Sequence, residues 1–469
     1  MFVQQFYVEG IAHLSYLVGG KKACAIIDPR RDVDEYLAAA KAMGLKITHI
    51  LETHLHADFV SGHLDLAQRT GAAIYAPKSG GCKYSHVAVA EGDSFNVEDM
   101  RVRVLDTPGH TPDCICYVVT DQSRGDEPVA VFSGDTLFVG DVGRPDLFPG
   151  RGKELAASLF GNLKKLMALP DTCLVYPAHG AGSLCGKAMG AMRVSTIGYE
   201  RAHNPALQHK TLDDFSKALL SGMPEAPDHF ARCSDINRRG PALVAELSAP
   251  KPLSPAEVQA LSSQGHVVLD ARDYASFGGA HVPGAINIDG AHNFSTFCGW
   301  LLPPDKPIIL VARTAEEVPA LATMLRRVGL DDVMGYLDGG MGPWITSGLP
   351  VARIPTMTVH EAQEACKSKT PIVFLDVRAA GEWNASHIEG ATHMPLPATR
   401  TQFGELDRAA TIALVCKSGA RASTAGSILQ QKGFRSLAVV AGGMTAWVAA
   451  GFAPECATCA LTHGPRINQ

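Results

Sequence analysis

Thr53-His54-Leu55-His56-Ala57-Asp58-Phe59 is the stretch whose reading decides the first half of this 469-residue chain. It follows Ile47-Thr48-His49-Ile50-Leu51-Glu52, which reads as a short buried strand that stops where the histidines begin. His54 and His56 therefore sit on a loop leaving a sheet, where side chains can converge on an ion. The motif is H-x-H-x-D followed by Phe59. A phenyl ring ligates nothing, so a single-metal site is favoured over a two-metal hydrolytic one.

Working outward, three more segments supply candidate ligands. Thr107-Pro108-Gly109-His110-Thr111, Phe132-Ser133-Gly134-Asp135 and Tyr176-Pro177-Ala178-His179-Gly180 each follow a strand-like run. Each puts a potential ligand beside glycine or proline, so the carriers are rigid turns. Two histidines and one carboxylate with open positions describe the facial arrangement of non-haem Fe(II) sites. His54, His110 and Asp135 fit that description, and the same groups would also hold zinc. One such histidine alone would more readily cap a turn; four segments at strand ends argue for a metal.

The rest of the composition sets the frame. The length predicts about three domains. A hydrophobic content of 46% and a charged content of 19% describe an ordinary globular protein with ample core. A net charge of −5 argues against nucleic-acid or anionic-membrane partners. No apolar run reaches the length of a membrane span, and Met1-Phe2-Val3-Gln4-Gln5 lacks a signal-peptide profile. The 12 cysteines form no framework, which suits reduced thiols and a cytoplasmic location. Self-association is left open.

Short apolar runs alternate with helical patterns through residues 1–245, with helices expected over Val33 to Leu45 and Lys153 to Leu169. Strands are expected over Ala23 to Pro29, Ala73 to Ala76, Val102 to Leu105, Cys114 to Val119 and Val129 to Phe132. Prolines near 250 and 355 mark boundaries, which gives domains 1–245, 246–355 and 356–469. The last two are copies of one module. Val268-Leu269-Asp270-Ala271-Arg272 is echoed by Phe374-Leu375-Asp376-Val377-Arg378, and Ala280-His281-Val282-Pro283-Gly284-Ala285 by Ser386-His387-Ile388-Glu389-Gly390-Ala391. Asp338-Gly339-Gly340-Met341 likewise returns as Ala441-Gly442-Gly443-Met444, each followed by a tryptophan at the same spacing.

In the last copy, Leu414-Val415-Cys416-Lys417-Ser418-Gly419-Ala420-Arg421 is a cysteine at a strand's end, then a short loop and a helical stretch. The backbone N–H groups of such a loop make a cradle that stabilises a bound persulfide or sulfonate. Lys417 and Arg421 reinforce it. The middle copy has Ala312 at the matching place, and Glu316 and Glu317 in its loop would repel an anionic sulfur species. That copy cannot carry sulfur. Cys456-x-x-Cys459 is an isolated pair, read as a dithiol rather than a metal site.

These motifs together resemble the persulfide dioxygenase–rhodanese fusions of bacteria. The resemblance implies an α/β multidomain chain, an αββα metallo-β-lactamase sandwich followed by two rhodanese-like domains with parallel sheets. It implies one Fe(II) held by His54, His110 and Asp135, with zinc the less favoured metal. His56, Asp58 and His179 match positions that ligate metals in other members, and are expected here to support the ligands. Arg144, in Gly140-Asp141-Val142-Gly143-Arg144-Pro145-Asp146, is a candidate anchor for an anionic substrate, against a simple ion pair with Asp146. Cys185 is a candidate persulfide carrier, against a buried apolar role.

The implied activity is oxidation of a thiol persulfide by O2 to sulfite and thiol, as in sulfide detoxification. Sulfane sulfur would be exchanged among persulfides, sulfite and thiosulfate through Cys416, the catalytic residue of the second activity, with Lys417 and Arg421 binding substrate. Two rivals stand beside this reading: a thioester hydrolase of the glyoxalase II type, and a non-catalytic persulfide-binding sensor. The thiol carrier is not legible.

Overall fold

The computed structural model describes residues 1–291, 293–367 and 372–453; Cys456 and Cys459 lie outside them. The chain separates into two compact units, Met1–Leu247 with Thr323–Leu330, and Ser248–Ala322 with Asp331–Gln469.

The strand alternation of Ala23–Ile27 sets the layering of the first unit. Ala25 and Ile27 join Leu14, Tyr16 and Val18 in an inner core, while Cys24 and Ile26 face outward onto Tyr36 and Ala40 of the helix Asp34–Ala42. Successive side chains of a strand point to opposite faces, so one apolar run serves two cores. This strand belongs to a six-stranded sheet in sequence order, Phe2–Val8, His13–Gly19, Ala23–Ile27, Lys46–Leu51, Ala73–Pro77 and Val87–Val89. Its first three strands are antiparallel and the remainder parallel.

A second six-stranded sheet faces it, built from Ser94–Val97, Met100–Asp106, Ile115–Asp121, Pro128–Gly134, Leu174–Pro177 and Ser195–Thr196. Val102, Val104, Tyr117, Val119 and Phe132 close the inner core from this side. On its other face Cys116, Val118 and Val131 pack against Leu159, Leu163 and Leu166 of the helix Gly152–Met167 and Phe215 of Leu212–Leu220. Helices outside, two sheets inside: this is the αββα sandwich. Helices expected over 33–45 and 153–169 form within a few residues of those bounds. The strands Phe2–Val8 and His13–Gly19 were not expected, because Gln4, Gln5 and His13 blur their pattern.

In the second unit the repeat becomes two five-stranded, all-parallel sheets of identical order. The middle copy runs Lys251–Leu253, Val333–Leu337, Ile308–Val311, Val267–Asp270, Ile286–Asn287. The last runs Thr356–Met357, Leu437–Val440, Thr411–Val415, Ile372–Asp376, Thr392–His393. Even the ion pairs repeat: Arg272 Nη2 meets Asp270 and Arg378 Nη2 meets Asp376, both at 2.6 Å. Ala312 and Cys416 follow the equivalent strands Ile308–Val311 and Thr411–Val415. Among the described residues no helix is long and apolar enough to cross a membrane.

Candidate metal centre and thiol loop

The turns after Lys46–Leu51, Met100–Asp106, Pro128–Gly134 and Leu174–Pro177 carry His54, His110, Asp135 and His179, all of them buried. His54, His110 and Asp135 bring one ligand atom each within 4.8 Å of one another.

Hydrogen bonds decide which atoms those are. Asp28 accepts from the Thr53 N–H at 2.8 Å and from the Thr53 hydroxyl at 2.9 Å. With its proton spent on the carboxylate, the Thr53 oxygen accepts from His54 Nδ1 at 3.0 Å. His110 Nδ1 donates to the Arg144 carbonyl at 2.8 Å, since a carbonyl can only accept. Both rings therefore present a lone pair at Nε2. These two nitrogens lie 3.8 and 3.3 Å from Asp135 Oδ2, and all three atoms are buried without a hydrogen-bond partner. Three converging acceptors with no proton among them repel one another unless a cation joins them. The donor set fits a divalent transition metal.

The electrostatics agree. Burial, and then the neighbouring His56, pushes the His54 pKa well below the usual imidazole range. Burial also lowers His110, outweighing Asp135. For Asp135 burial alone would favour the neutral acid, but His179, hydrogen-bonded at 2.7 Å, with His110 and His54, holds the carboxyl well below its ordinary range. Neutral imidazoles beside an ionised carboxylate are the ligand forms a metal requires.

Two glycines make room. Gly134 has φ +51°, and a Cβ there would approach the Thr53 hydroxyl at 2.6 Å. At Gly143 a Cβ would strike the Asp135 carbonyl and lie 2.8 Å from His110 Cβ. Gly143→Ala is therefore expected to push Asp135 and His110 apart, costing roughly 1–3 kcal/mol of stability by overpacking. Elemental analysis should show metal lost together with a lower Tm; full metal content would contradict the geometry.

The supporting residues divide into two groups. His56 turns away from the triad, its Nε2 3.1 Å from Asp28 Oδ1 and 3.6 Å from Glu52 Oε2. Asp58 Oδ2 lies 2.8 Å from His179 Nε2, and these two meet Cys185 in a further potential ligand group. Phe59 is fully buried between the rings of His13, 4.0 Å away, and His56, 4.4 Å away. It fills that position with apolar packing.

Arg144 gives its nitrogens to Asp146, at 2.7 and 2.9 Å, and to the carbonyls of Leu184 and Pro224. The structure thus places it in the ion pair, buried, rather than as an anchor for a substrate. Its contribution to the centre is the carbonyl that orients His110. Cys185 is fully buried, and burial followed by Asp58 and Asp135 pushes its thiol well up, which disfavours a thiolate carrier.

Sequence reasoning missed His13, Asp28, Glu52 and His63. His13 sits buried beside His56 and His179, and burial with those neighbours lowers its pKa. Burial pushes Glu52 up to about 8, against His56 and the 2.6 Å hydrogen bond from Ser61. His13 stood inside an apolar stretch with no local signal; Asp28, ending a strand before proline, offered a faint one.

In the last module Cys416 is buried, and its Sγ accepts from the Gly419 N–H at 3.1 Å. The loop leads into the helix Ala420–Gln431. Lys417 is exposed beside it. Arg421 forms paired hydrogen bonds to Glu382 at 2.6 and 2.7 Å, so it braces the loop instead of offering an unshared charge to substrate.

With that geometry in hand, residues 8–179 match the metallo-beta-lactamase superfamily, and residues 254–347 and 358–450 match the rhodanese-like domain. The crystal structure of a metallo-beta-lactamase from Staphylococcus aureus shares 36% identity, with a TM-score of 0.66, over 71% of this chain and 98% of that one. The chain belongs to the metallo-β-lactamase superfamily. It is a fusion of such a domain, akin to persulfide dioxygenases, to two rhodanese-like domains. The mitochondrial persulfide dioxygenase ETHE1 of Mus musculus is 30% identical over 47% of this superfamily member and 80% of the relative. A hydroxyacylglutathione hydrolase of Rhodospirillum rubrum is 38% identical over 34% of this chain and 57% of the relative. Both lie in one superfamily, so identity alone does not choose between their activities.

Proposed function

We propose that this chain is an iron-dependent persulfide dioxygenase with a sulfurtransferase tail. One observation carries the reading: His54 Nε2, His110 Nε2 and Asp135 Oδ2 converge without protons, beside a phenyl ring where a further ligand would stand. Fe(II), when bound there, supplies open positions for a persulfide sulfur and for O2, and the electrons that activate O2. The chain's own residues fix the ligands: Asp28 through Thr53 sets the His54 tautomer, and the Arg144 carbonyl sets that of His110. A cavity of about 390 Å³ is lined by Leu55 and Ala57 of the motif loop and by Phe148 and Phe230, an apolar berth for an organic thiol carrier. The net reaction is persulfide, O2 and water to thiol, sulfite and two protons, one O2 per persulfide. An oxygen electrode with a panel of organic persulfides tests it; thioester cleavage without O2 uptake would refute it.

A second reading has its own support. Asp58, His179 and Cys185 form a second group of potential ligands beside the triad, and hydroxyacylglutathione hydrolases are among the relatives. A two-metal thioester hydrolase would use both groups. The burial of Phe59 at the intervening position, and the protonated Cys185 its surroundings favour, speak for the mononuclear reading.

Fusing the two activities should couple them. A tether raises the concentration of one centre's product at the other to about millimolar where the span permits. Wild-type chain should therefore consume O2 from thiosulfate plus thiol faster than an equimolar mixture of full-length Cys416→Ser and His110→Ala chains. Equal rates at low protein concentration, per intact centre, would mean no coupling.

A further inference from the structure

We propose that the middle module, which has Ala312 where the last module has Cys416, supplies the carrier-binding wall of the Cys416 site and selects organic thiols over inorganic sulfur anions. This deepens the reading of Cys416 as a sulfur carrier and rests on it. A cavity of about 580 Å³ opens beside the Cys416 loop. Lys417, Ser418 and Arg421 of the last module line one side; Asp289, Phe294 and Phe297 of the middle module line the other. Cavities of roughly 300–1,000 Å³ are the size that encloses organic molecules. Sulfite or thiosulfate, with a few heavy atoms each, would leave most of this one unfilled. Phe297 is partly exposed in this lining, so its ring has apolar surface to offer an organic ligand. Asp289 on the same wall opposes a small, purely anionic ligand.

The wall is held in register with the loop. Asn287, at the end of the middle module's strand Ile286–Asn287, accepts from Ser423 Oγ at 2.6 Å, and its N–H donates to Ser427 Oγ at 3.1 Å. Both serines lie on the helix that leaves the Cys416 loop. Tyr274 reaches the loop itself: Gly419 has φ +113°, and a Cβ there would lie 2.8 Å from the Tyr274 ring. Arg400 further donates to the Trp300 carbonyl at 2.7 Å. A module that served only as a spacer would not need its aromatic side chains in the chamber of its neighbour.

The step served is sulfane transfer. The thiolate of an organic acceptor attacks the outer sulfur of the Cys416 persulfide; a new S–S bond forms, the old one breaks, and Cys416 leaves as thiolate. No external oxidant or reductant is needed.

The test compares two acceptors on the full chain with thiosulfate as donor: glutathione, read as sulfite released, and isotopically labelled sulfite, read as label exchanged into thiosulfate. Phe297→Ala should raise KM for glutathione by about tenfold, the factor expected from losing about half of a phenyl ring's burial. Its kcat, and KM for sulfite, should stay near wild type, and Phe297→Leu should restore most of the affinity. Phe297→Trp, which narrows the chamber without emptying it, should impair glutathione and spare sulfite; it decides the matter if the alanine variant fails to fold. Equal effects on both acceptors, or no effect on either, would overturn the proposal. Transfer to sulfite that survives Cys416→Ser would instead overturn the sulfur-carrier reading on which it rests.

Discussion

His110→Ala is expected to remove iron and O2 uptake together, while sulfur transfer at Cys416 continues. The ring is wholly buried, and its Nε2 lies 3.3 Å from Asp135 Oδ2. Alanine deletes one of the three converging donor groups and leaves the Arg144 carbonyl without its 2.8 Å donor. The activity loss should exceed the roughly 10–100-fold that follows removal of a group merely supporting a ligand. Thr53→Val provides that comparison: it deletes the hydroxyl between Asp28 and His54 but keeps every ligand, so a loss in the 10–100-fold range is expected. Metal content and O2 uptake should fall in parallel in both variants. O2 uptake that persisted in an iron-free His110→Ala chain would exclude the triad.

Cys416→Ser is expected to abolish thiosulfate-linked sulfur transfer and leave oxidation of a preformed persulfide intact. A serine hydroxyl at this pH is neither a nucleophile toward sulfur nor able to carry it, so transfer should fall to background. The fold should tolerate the exchange, since the Gly419 N–H that reaches Sγ at 3.1 Å can meet an oxygen equally. Transfer that survived would assign the carrier role to another thiol. Ala312→Cys should not rescue the variant, because Glu316 and Glu317 remain in that loop.

The convergence of His54, His110 and Asp135 was legible because each stands in its own local context, a histidine or aspartate beside glycine or proline at a strand's end. The repeat was legible for a related reason: Asp270-x-Arg272 and Asp376-x-Arg378 read alike and fold alike. What sets the ligands' protonation was not. Asp28 acts on His54 through a threonine 25 residues later, and Arg144 acts on His110 through a carbonyl, which no side-chain pattern encodes. The same carbonyl role explains why a basic residue that looked like a substrate anchor turns inward to Asp146. Phe59 was readable as a missing ligand, but its packing against His13 was not, since that histidine arrives on a strand the sequence disguised. Phe297 lies on the helix Phe294–Leu301, where the two copies share no motif, so only the folded arrangement reveals the wall it forms.

The most direct test of the mononuclear dioxygenase is metal content measured on the same intact protein as O2 and persulfide consumption. Protein purified without oxygen should contain one iron per chain, consume one O2 per organic persulfide and release one sulfite. Two metal ions per active chain, with thioester hydrolysis and no O2 uptake, would contradict it.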